Sequence, residues 1–302
     1  MSEYSNLEVA FSPQSLVVLN VILAGMIFGV SLKLTRADFV RVIKQPRAPL
    51  AGLVAQFILL PAGTCLATTL LNVPAELALG MILIASCPGG SFSNIMTWLS
   101  KASVPVSVSM TAISSLAAIV MTPFNFSLYG YLNPHTRDLL RDIAIDPLNL
   151  ITLVALVLVL PLLLGMTIGG RHPTLADRAD KPMRVFTLLV FLLFVVVVFV
   201  NNMDNIVRFA GQILMLVAAH NVFALLLGYS AARLMRLPQD ERRAVTMEVG
   251  IQNTTLGLSI IFTFFPDAGG MMLIAGFWSF WHLLAGMTLA LIWSRRQEPS
   301  HV

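Results

Sequence analysis

Nine stretches of this chain are apolar for nearly the length that a bilayer crossing needs, and this feature limits the fold most. Crossing the hydrocarbon layer takes roughly 20 residues of helix. Only 11% of the residues are charged, against about 25% in soluble domains, so the chain lacks the polar surface to cover these stretches. We therefore predict an all-α polytopic membrane protein, with a single transmembrane domain over residues 15–294 that is surrounded by the lipid bilayer. The nine predicted transmembrane helices cover residues 15–33, 48–71, 76–100, 103–131, 148–170, 184–201, 208–233, 240–265 and 270–294.

The basic residues lie in alternate connections between these stretches. Positive residues collect on the cytoplasmic side of a membrane. The alternation therefore predicts that residues 1–14 form a tail outside the membrane and that residues 295–302 form a cytoplasmic tail. It also accounts for the formal net charge of +4 by topology, so we expect no nucleic-acid partner. Sixteen of the 19 Lys and Arg residues lie in 33–47, 101, 171–184, 233–243 and 295–296.

Glu248 is the one acidic residue in the middle of an apolar stretch, and the other 14 of the 15 lie in predicted loops, tails or helix ends. We expect the eighth helix to begin near Asp240 as an N-cap, which places Glu248 about 12 Å along the axis. A carboxylate at that depth is costly and marks ion paths. A purely structural carboxylate would pair with Arg or Lys or stay protonated. No predicted helix interior contains Arg or Lys, which favours a functional role.

Two stretches contain helix-breaking residues at mid-length. Residues 87–94 read Cys-Pro-Gly-Gly-Ser-Phe-Ser-Asn, where proline removes an amide and the glycines relax the helix. Residues 248–255 read Glu-Val-Gly-Ile-Gln-Asn-Thr-Thr, with four polar residues in an otherwise apolar segment. Irregular backbone at membrane depth is tolerated where it is buried in protein or lines a cavity. Two broken helices in corresponding halves point to the binding site of a transporter.

Hydroxyl and amide side chains near these breaks favour a site for a hard monovalent cation. Ser107 and Thr111 are four residues apart and therefore share one helix face. Such residues alone serve close helix packing. Beside Ser93, Asn94 and Glu248 they make an all-oxygen set of ligands. Cys65 and Cys87 lack the spacing of a zinc site or a disulfide framework.

These motifs make the chain similar to the bile acid:sodium symporter family, which includes bacterial homologues of the apical sodium-dependent bile acid transporter. The similar stretches are Cys87–Thr97, Pro105–Ser115, Glu248–Asn253 and Phe280–His282. The resemblance runs from about residue 15 to the C-terminus, and it implies inverted repeats with two crossed discontinuous helices. It also implies a core bundle of residues 48–131 and 208–294 and a panel bundle of residues 15–33 and 148–201. Members with ten spans have one more helix at the N-terminus.

The resemblance also implies the residues of three sites. The first sodium ion would lie among Ser93, Asn94, Ser107, Thr111 and Glu248. The second would use Gln56, Glu248 and Gln252 with the carbonyl groups of Val249 and Ile251. The substrate cavity would be lined by Asn253, Ser91, Thr254 and His282. Specificity is not implied, because Leu283 replaces an Asn found in many relatives and Thr254-Thr255 replaces a smaller pair.

We predict a sodium-coupled symporter that carries an organic anion, either bile-acid-like or a smaller carboxylate, by alternating access. The membrane would be a cell membrane, such as the inner membrane of a bacterium. Sodium would be the coupling ion, with no resident cofactor, catalytic residue or obligate protein partner. One alternative is a proton-coupled carrier in which Glu248 holds the proton. The other is an intramembrane serine hydrolase, with Ser91 as nucleophile and His220 or His282 as base, although no nucleophile-elbow spacing is present.

The sequence disfavours a retinal pump. Such a pump needs a lysine inside the helix bundle for its Schiff base. The four lysines are all predicted at helix ends or in loops. They are Lys33, Lys44, Lys101 and Lys181.

Overall fold

The structure, a computed structural model, describes residues 13–32, 34–35, 40, 44–143, 147–201 and 203–295. Helices make up most of this part, and no named β-strand occurs in it. The α-helices are α1 Pro13–Ser31, α2 Arg47–Val54, α3 Leu60–Leu70, α4 Ala75–Ser86, α5 Phe92–Leu99, α6 Val104–Leu132, α7 Arg137–Ile143, α8 Pro147–Val154, α9 Leu160–Arg171, α10 Pro173–Asn201, α11 Met203–Leu234, α12 Gln239–Gly250, α13 Thr254–Phe264 and α14 Gly269–Arg295. Two π-helical turns, Ala55–Leu59 and Ala155–Val159, join α2 to α3 and α8 to α9. Most of both predicted tails, and much of the predicted loop 33–47, lie outside the described residues.

Several helices are apolar and long enough to cross a membrane, as the sequence predicts. Shorter apolar helices cover Val17–Gly29, Ala75–Ser86 and Thr254–Phe264. The all-helical membrane fold is therefore confirmed, whereas the count of nine crossings stays a prediction. Within the described ranges, the five helical segments of crossing length are Arg47–Leu70, Val104–Leu132, Leu148–Arg171, Val207–Leu234 and Gly269–Arg295.

Some helices extend past the apolar stretches into segments predicted as loops. The sequence predicts a loop over 171–184, but α10 begins at Pro173 and continues to Asn201. Hydropathy marks the apolar part of a helix rather than its ends, and proline is well suited to the first helical position. Arg178 and Lys181 consequently lie inside α10. The prediction that no helix interior holds Arg or Lys is therefore wrong, as is the placement of Lys181 in a loop.

The start of α12 also differs from the prediction. Its N-cap is Pro238, which makes no side-chain capping hydrogen bond, and Asp240 lies in the first turn of the helix. The extended backbone of Pro238, with ψ of 159°, lets the helix begin directly after it. A carboxylate in a first turn still interacts favourably with the helix dipole. Glu248 keeps its predicted distance from the start of the helix, but because α12 ends at Gly250 it lies near the helix end rather than at mid-length.

Pro61 leaves a backbone carbonyl that the structure satisfies from another helix. Proline has no amide hydrogen, so the carbonyl of Phe57 loses its partner within the helix. Nδ2 of Asn125 in α6 donates to this carbonyl over 2.8 Å. In a bilayer an unpaired carbonyl costs several kcal/mol. Asn125, a polar residue on an apolar helix, therefore holds α6 against the junction of α2 and α3.

A second buried carboxylate lies at the start of α4. Glu76 is 5% exposed, and its Oε2 accepts a hydrogen bond from the amide of Gly270 over 2.8 Å. The carboxylate therefore lies at the N-termini of both α4 and α14, where free amides and helix dipoles stabilise negative charge. The sequence places Glu76 at a helix end and gives no sign of this contact. This hydrogen bond joins α4 and α14, which pack extensively against each other.

We expect Glu76→Ala to lower the stability of the folded protein by about 1–3 kcal/mol, because the amide of Gly270 loses its buried partner. The measurement is thermal unfolding of the purified protein in detergent. Asp240→Ala is the matched control, since Asp240 also lies in a first turn but is exposed. Equal unfolding midpoints for the two variants would show that the contact of Glu76 with α14 contributes nothing.

Candidate functional site

The two interrupted helices meet at their interruptions. The first break separates α4 from α5 at residues 87–91, and the second separates α12 from α13 at residues 251–253. The amide of Gly90 donates to the carbonyl of Ile251 over 2.6 Å, and the amide of Asn253 donates to the carbonyl of Pro88 over 2.9 Å. Both segments are interrupted where the sequence predicts. The structure adds that the two breaks bond to each other as a short antiparallel pair.

Side chains satisfy further carbonyl groups at the helix ends beside the breaks. These carbonyls cannot be paired within their own helices, because the next turn is missing. The donors come from α6, from the first π-helical turn and from α11. Oγ1 of Thr122 donates to the carbonyl of Ser86, Nε2 of Gln56 to that of Cys87, and Nδ2 of Asn221 to that of Gly250, each over 2.7 Å. Hydrogen bonds from three other elements therefore stabilise the helix ends at the site.

Glu248 lies beside this crossing and is only 1% exposed. Its Oε2 accepts hydrogen bonds from Ser93 over 2.5 Å and from Thr111 over 2.9 Å. The hydroxyl of Ser107 donates to Oδ1 of Asn94 over 2.8 Å. The structure thus brings together all five side chains predicted for the first sodium ion.

Thr97 extends this oxygen cluster, and the sequence analysis missed it. Its hydroxyl donates to Oγ of Ser107 over 3.2 Å, and the side chain is buried. Thr97 lies one helical turn after Ser93 and Asn94 on α5, so the i to i+4 spacing was the signal that could have identified it. This hydrogen bond restrains the orientation of the Ser107 hydroxyl.

The amide side chains predicted for the second sodium ion form a reciprocal pair. Nε2 of Gln56 donates to Oε1 of Gln252 over 2.8 Å, and Nε2 of Gln252 donates back to Oε1 of Gln56 over 3.1 Å. Nε2 of Gln252 also donates to the carbonyl of Val249 over 2.6 Å. The carbonyl of Ile251 already accepts the amide of Gly90, but a carbonyl oxygen has a second lone pair. These oxygens all lie at the second break.

The other carboxylate oxygen of Glu248 has no hydrogen-bond donor. Oε1 is buried without a partner and lies against Gly89, where a Cβ atom would overlap the carboxylate. In the described part of the chain, the groups that interact with this carboxylate are neutral hydroxyls rather than cations. A buried anion without a counter-charge costs several kcal/mol. The geometry therefore favours a bound cation.

The donor set also indicates which kind of cation fits. Neutral hydroxyl and amide oxygens with one carboxylate suit hard cations, whereas transition metals favour imidazole and thiolate. Among the residues that the structure describes, no three or more His, Cys, Asp or Glu side chains lie close enough together to hold a metal ion. The single negative charge matches a monovalent ion better than a divalent one.

The predicted substrate residues are only partly brought together. Ser91, Asn253 and Thr254 line a cavity of about 10 Å³ that is closed on the other side by Leu23 and Met26 of α1. Such a volume is about that of one water molecule. His282 does not line this cavity; it lies on α14 beside Phe92, which does line it, with ring centroids 6.4 Å apart.

His220 contacts side chains of two neighbouring helices. Its Nε2 lies 2.8 Å from Oγ1 of Thr64 on α3, and its ring packs edge-on against Trp278 of α14 at a centroid distance of 4.5 Å. The residue thereby joins α11 to two other helices. This arrangement occupies His220 with Thr64 rather than with the proposed nucleophile Ser91.

Comparison with known proteins reveals similarity to sodium-dependent transporters. The chain is 28% identical over 278 residues to YocS of Bacillus subtilis (strain 168), named an uncharacterized sodium-dependent transporter; the match covers 92% of this chain and 83% of YocS. It is 28% identical over 278 residues to BASS1 of Arabidopsis thaliana, named a probable chloroplastic sodium/metabolite cotransporter, and covers 66% of that protein. It is 28% identical over 219 residues to the P3 protein of Mus musculus, of which it spans 45%.

The family profile extends over more than half of the chain. The profile of the Sodium Bile acid symporter family matches residues 20–209. The family and the sodium-dependent relatives are transporters rather than enzymes, which excludes the serine hydrolase. The resemblance noted in the sequence is confirmed: this chain is a multi-pass membrane transporter that belongs to the Sodium Bile acid symporter family.

Proposed function

We propose that the chain is a symporter that carries a small organic anion together with two sodium ions bound at the crossing of the interrupted helices. The observation that carries this proposal is the carboxylate of Glu248, which is buried beside a gap in two helices and surrounded by neutral oxygens. A sodium ion would supply the missing positive charge. Interrupted helices with free carbonyls are the usual place for coupling ions in transporters.

The number of neutral oxygens favours sodium over a proton. A proton needs a single base, and Glu248 alone would suffice for a proton-coupled carrier. Such a carrier would not require the hydroxyl and amide oxygens of Ser107, Thr111 and Asn94 as ligands. As ligands they would replace the water molecules around a sodium ion, with Ser93 and Glu248 completing the first site.

The second sodium ion would bind at the amide pair. Gln56 and Gln252 bond to each other through both ends of their amide groups. An ion would attract both Oε1 atoms, together with Glu248 and the carbonyls of Val249 and Ile251. The amide nitrogens of the pair would keep their bonds to the carbonyls of Cys87 and Val249. Sodium binding would thus tie the π-helical turn to the second break.

The substrate would bind between two bundles that move against each other. We propose a core of residues 48–131 and 208–294 and a panel of residues 15–33 and 148–201. In support, α1 packs against α9 and α10 and meets the core through α13. The cavity at Ser91, Asn253 and Thr254 lies between α1 and both breaks. Because it has room for only about one water molecule, an organic anion could enter only after the bundles move apart.

His282 remains a proposed substrate contact of another conformation. Its side chain is buried beside Phe92 rather than in the small cavity. Opening of the cavity between the bundles would have to displace the Phe92 ring before His282 could reach an anion. The anion would be either bile-acid-like or a smaller carboxylate.

We further propose nine spans in two inverted repeats, with the N-terminus outside and the C-terminus in the cytoplasm of a bacterial cell. The segments α4–α5 and α12–α13 would be corresponding interrupted spans of the two repeats. Their breaks pair in antiparallel fashion, which is compatible with a two-fold relation between them. The alternation of basic connections supports the orientation.

Glu248→Gln should abolish the stabilisation of the protein by sodium, because the variant keeps the shape of the side chain and loses its charge. We expect sodium chloride to raise the unfolding midpoint of the unaltered protein relative to choline chloride at equal ionic strength and fixed pH. Glu76→Gln is the matched control, as the second buried Glu on an interrupted helix, and it should keep the full sodium effect. A full effect in Glu248→Gln would contradict the sodium site, whereas a response to pH alone in the unaltered protein would favour proton coupling.

Gly89→Ala should weaken the sodium effect without removing any oxygen ligand. The added Cβ would overlap the carboxylate of Glu248 and displace it from the hydroxyls. Gly170→Ala is the control, since no atom lies within 4 Å of a Cβ added at that position. We expect Gly89→Ala to require at least about tenfold more sodium for half of the thermal shift, equivalent to about 1.4 kcal/mol. An unchanged sodium requirement would show that this carboxylate position is not needed.

Transport of a monoanion with two sodium ions should depend on voltage, because each cycle would move one net positive charge. A screen of organic anions by thermal shift, with and without sodium, would first identify a substrate. Uptake is then measured in proteoliposomes with potassium diffusion potentials of either sign. An inside-negative potential should accelerate uptake. Uptake that is insensitive to the potential would instead indicate one sodium ion per monoanion.

A further inference from the structure

A larger cavity lies away from the crossing, on the outer surface of α6. It has a volume of about 720 Å³ and is bounded by α6, α7 and α8. Val120 and Phe124 of its wall are 58% and 55% exposed, so in a membrane this groove faces lipid. Most of its lining is apolar, including Val120, Phe124, Leu128, Leu140, Leu150 and Ile151.

One end of this groove is basic and aromatic. Nη2 of Arg141, which lines the groove, donates to the hydroxyl of Tyr131 over 2.7 Å. Nε of Arg137 donates to the carbonyl of Tyr131 over 3.0 Å. Both guanidinium groups lie over the Tyr131 ring, at 5.0 and 5.1 Å from its centroid. The aromatic ring thus holds two positive charges side by side at the end of an apolar slot.

Both arginines keep donors for a further ligand. A guanidinium group has five N–H donors, and the hydrogen bonds that the structure shows for Arg137 and Arg141 all go to Tyr131. The short helix α7 also carries Asp138 and Asp142. Asp138 is exposed, and the described bonds of the arginines go to Tyr131 rather than to it.

We propose that this groove binds an anionic phospholipid, with an acyl chain in the slot along α6 and the phosphate at Arg137 and Arg141. Arginine binds phosphate through paired N–H groups. Tyrosine and arginine are the side chains expected at the level of lipid headgroups, and paired guanidinium groups bind an anionic headgroup in either leaflet. A water-soluble anion has no acyl chain that could occupy the apolar slot. The groove is separate from the proposed sodium and substrate residues, so the inference does not depend on the transport cycle.

The charge requirement is tested by lipid retention on the full chain. Native mass spectrometry after equal loading compares phosphatidylglycerol with phosphatidylcholine of the same acyl chains. We expect preferential retention of phosphatidylglycerol and a loss of about tenfold in that preference for Arg141→Gln, as for removal of one charged hydrogen-bonding group. Arg171→Gln, at an exposed arginine on α9, is the matched control and should keep the preference. Equal retention of the two lipids, or an equal loss in both variants, would overturn the proposal.

The acyl slot is tested without changing any charge. Ser127 lines the groove and is exposed, so Ser127→Trp would fill the slot without disturbing the interior. We expect this variant to keep the unfolding midpoint of the lipid-free protein and to lose phosphatidylglycerol retention. Retention equal to that of the unaltered protein would exclude the slot. Binding of soluble glycerol phosphate as tight as that of the lipid would identify the site as one for free phosphate and would also overturn the proposal.

Discussion

Every backbone amide and carbonyl in the hydrocarbon layer must find a partner inside the protein, and the structure around residues 87–91 and 251–253 follows from this constraint. Two helices are broken, which leaves unpaired carbonyl groups at the C-terminal ends of α4 and α12 and unpaired amide groups at the N-terminal ends of α5 and α13. The breaks bond to each other through Gly90 and Asn253, and polar side chains from neighbouring helices bond to the carbonyls that remain. Neither break could exist in lipid without the other. The crossing is therefore a single unit rather than two separate kinks.

The same crossing makes room for a buried negative charge. A Cβ atom at position 89 would overlap the carboxylate of Glu248. Glycine at this position removes that obstacle, and one oxygen of Glu248 is left without a donor. Hydroxyls from α5 and α6 stabilise the other oxygen, but neutral donors offset only part of the cost of burying a charge. The remaining cost is what a bound cation would offset.

The sequence is most informative where composition changes abruptly. Pro88, Gly89 and Gly90 stand out in an apolar helix, and Glu248 is the one acid at mid-length, so both breaks and the oxygen set were predictable. The partners of the broken ends were not, because Thr122 and Asn221 look like ordinary polar residues until the register between helices is known. The first residues of α10 are charged and resemble a loop by composition, although they are helical and continuous with the apolar part of α10.

Burial could not be predicted from position along the chain alone. An acid at a helix start is usually solvated, as Asp240 is, yet Glu76 is buried because α14 begins beside it. His282 packs beside Phe92, which lines the cavity, but His282 does not reach the cavity itself. Such differences arise from how helices rotate against one another, and a single sequence carries little information on that rotation.

Consecutive residues at the second break connect the proposed ion set to the proposed substrate set. Gln252 bonds to Gln56, while the next residue, Asn253, lines the cavity beside α1 and caps α13 through the amide of Leu256 over 3.1 Å. The peptide segment between them is fixed on both sides by hydrogen bonds to Pro88 and Gly90. A rearrangement of the amide pair around an ion would therefore change the position of Asn253 through covalent bonds and two backbone hydrogen bonds. This short connection would provide a contiguous physical route for the proposed coupling, with no signal crossing the rest of the protein.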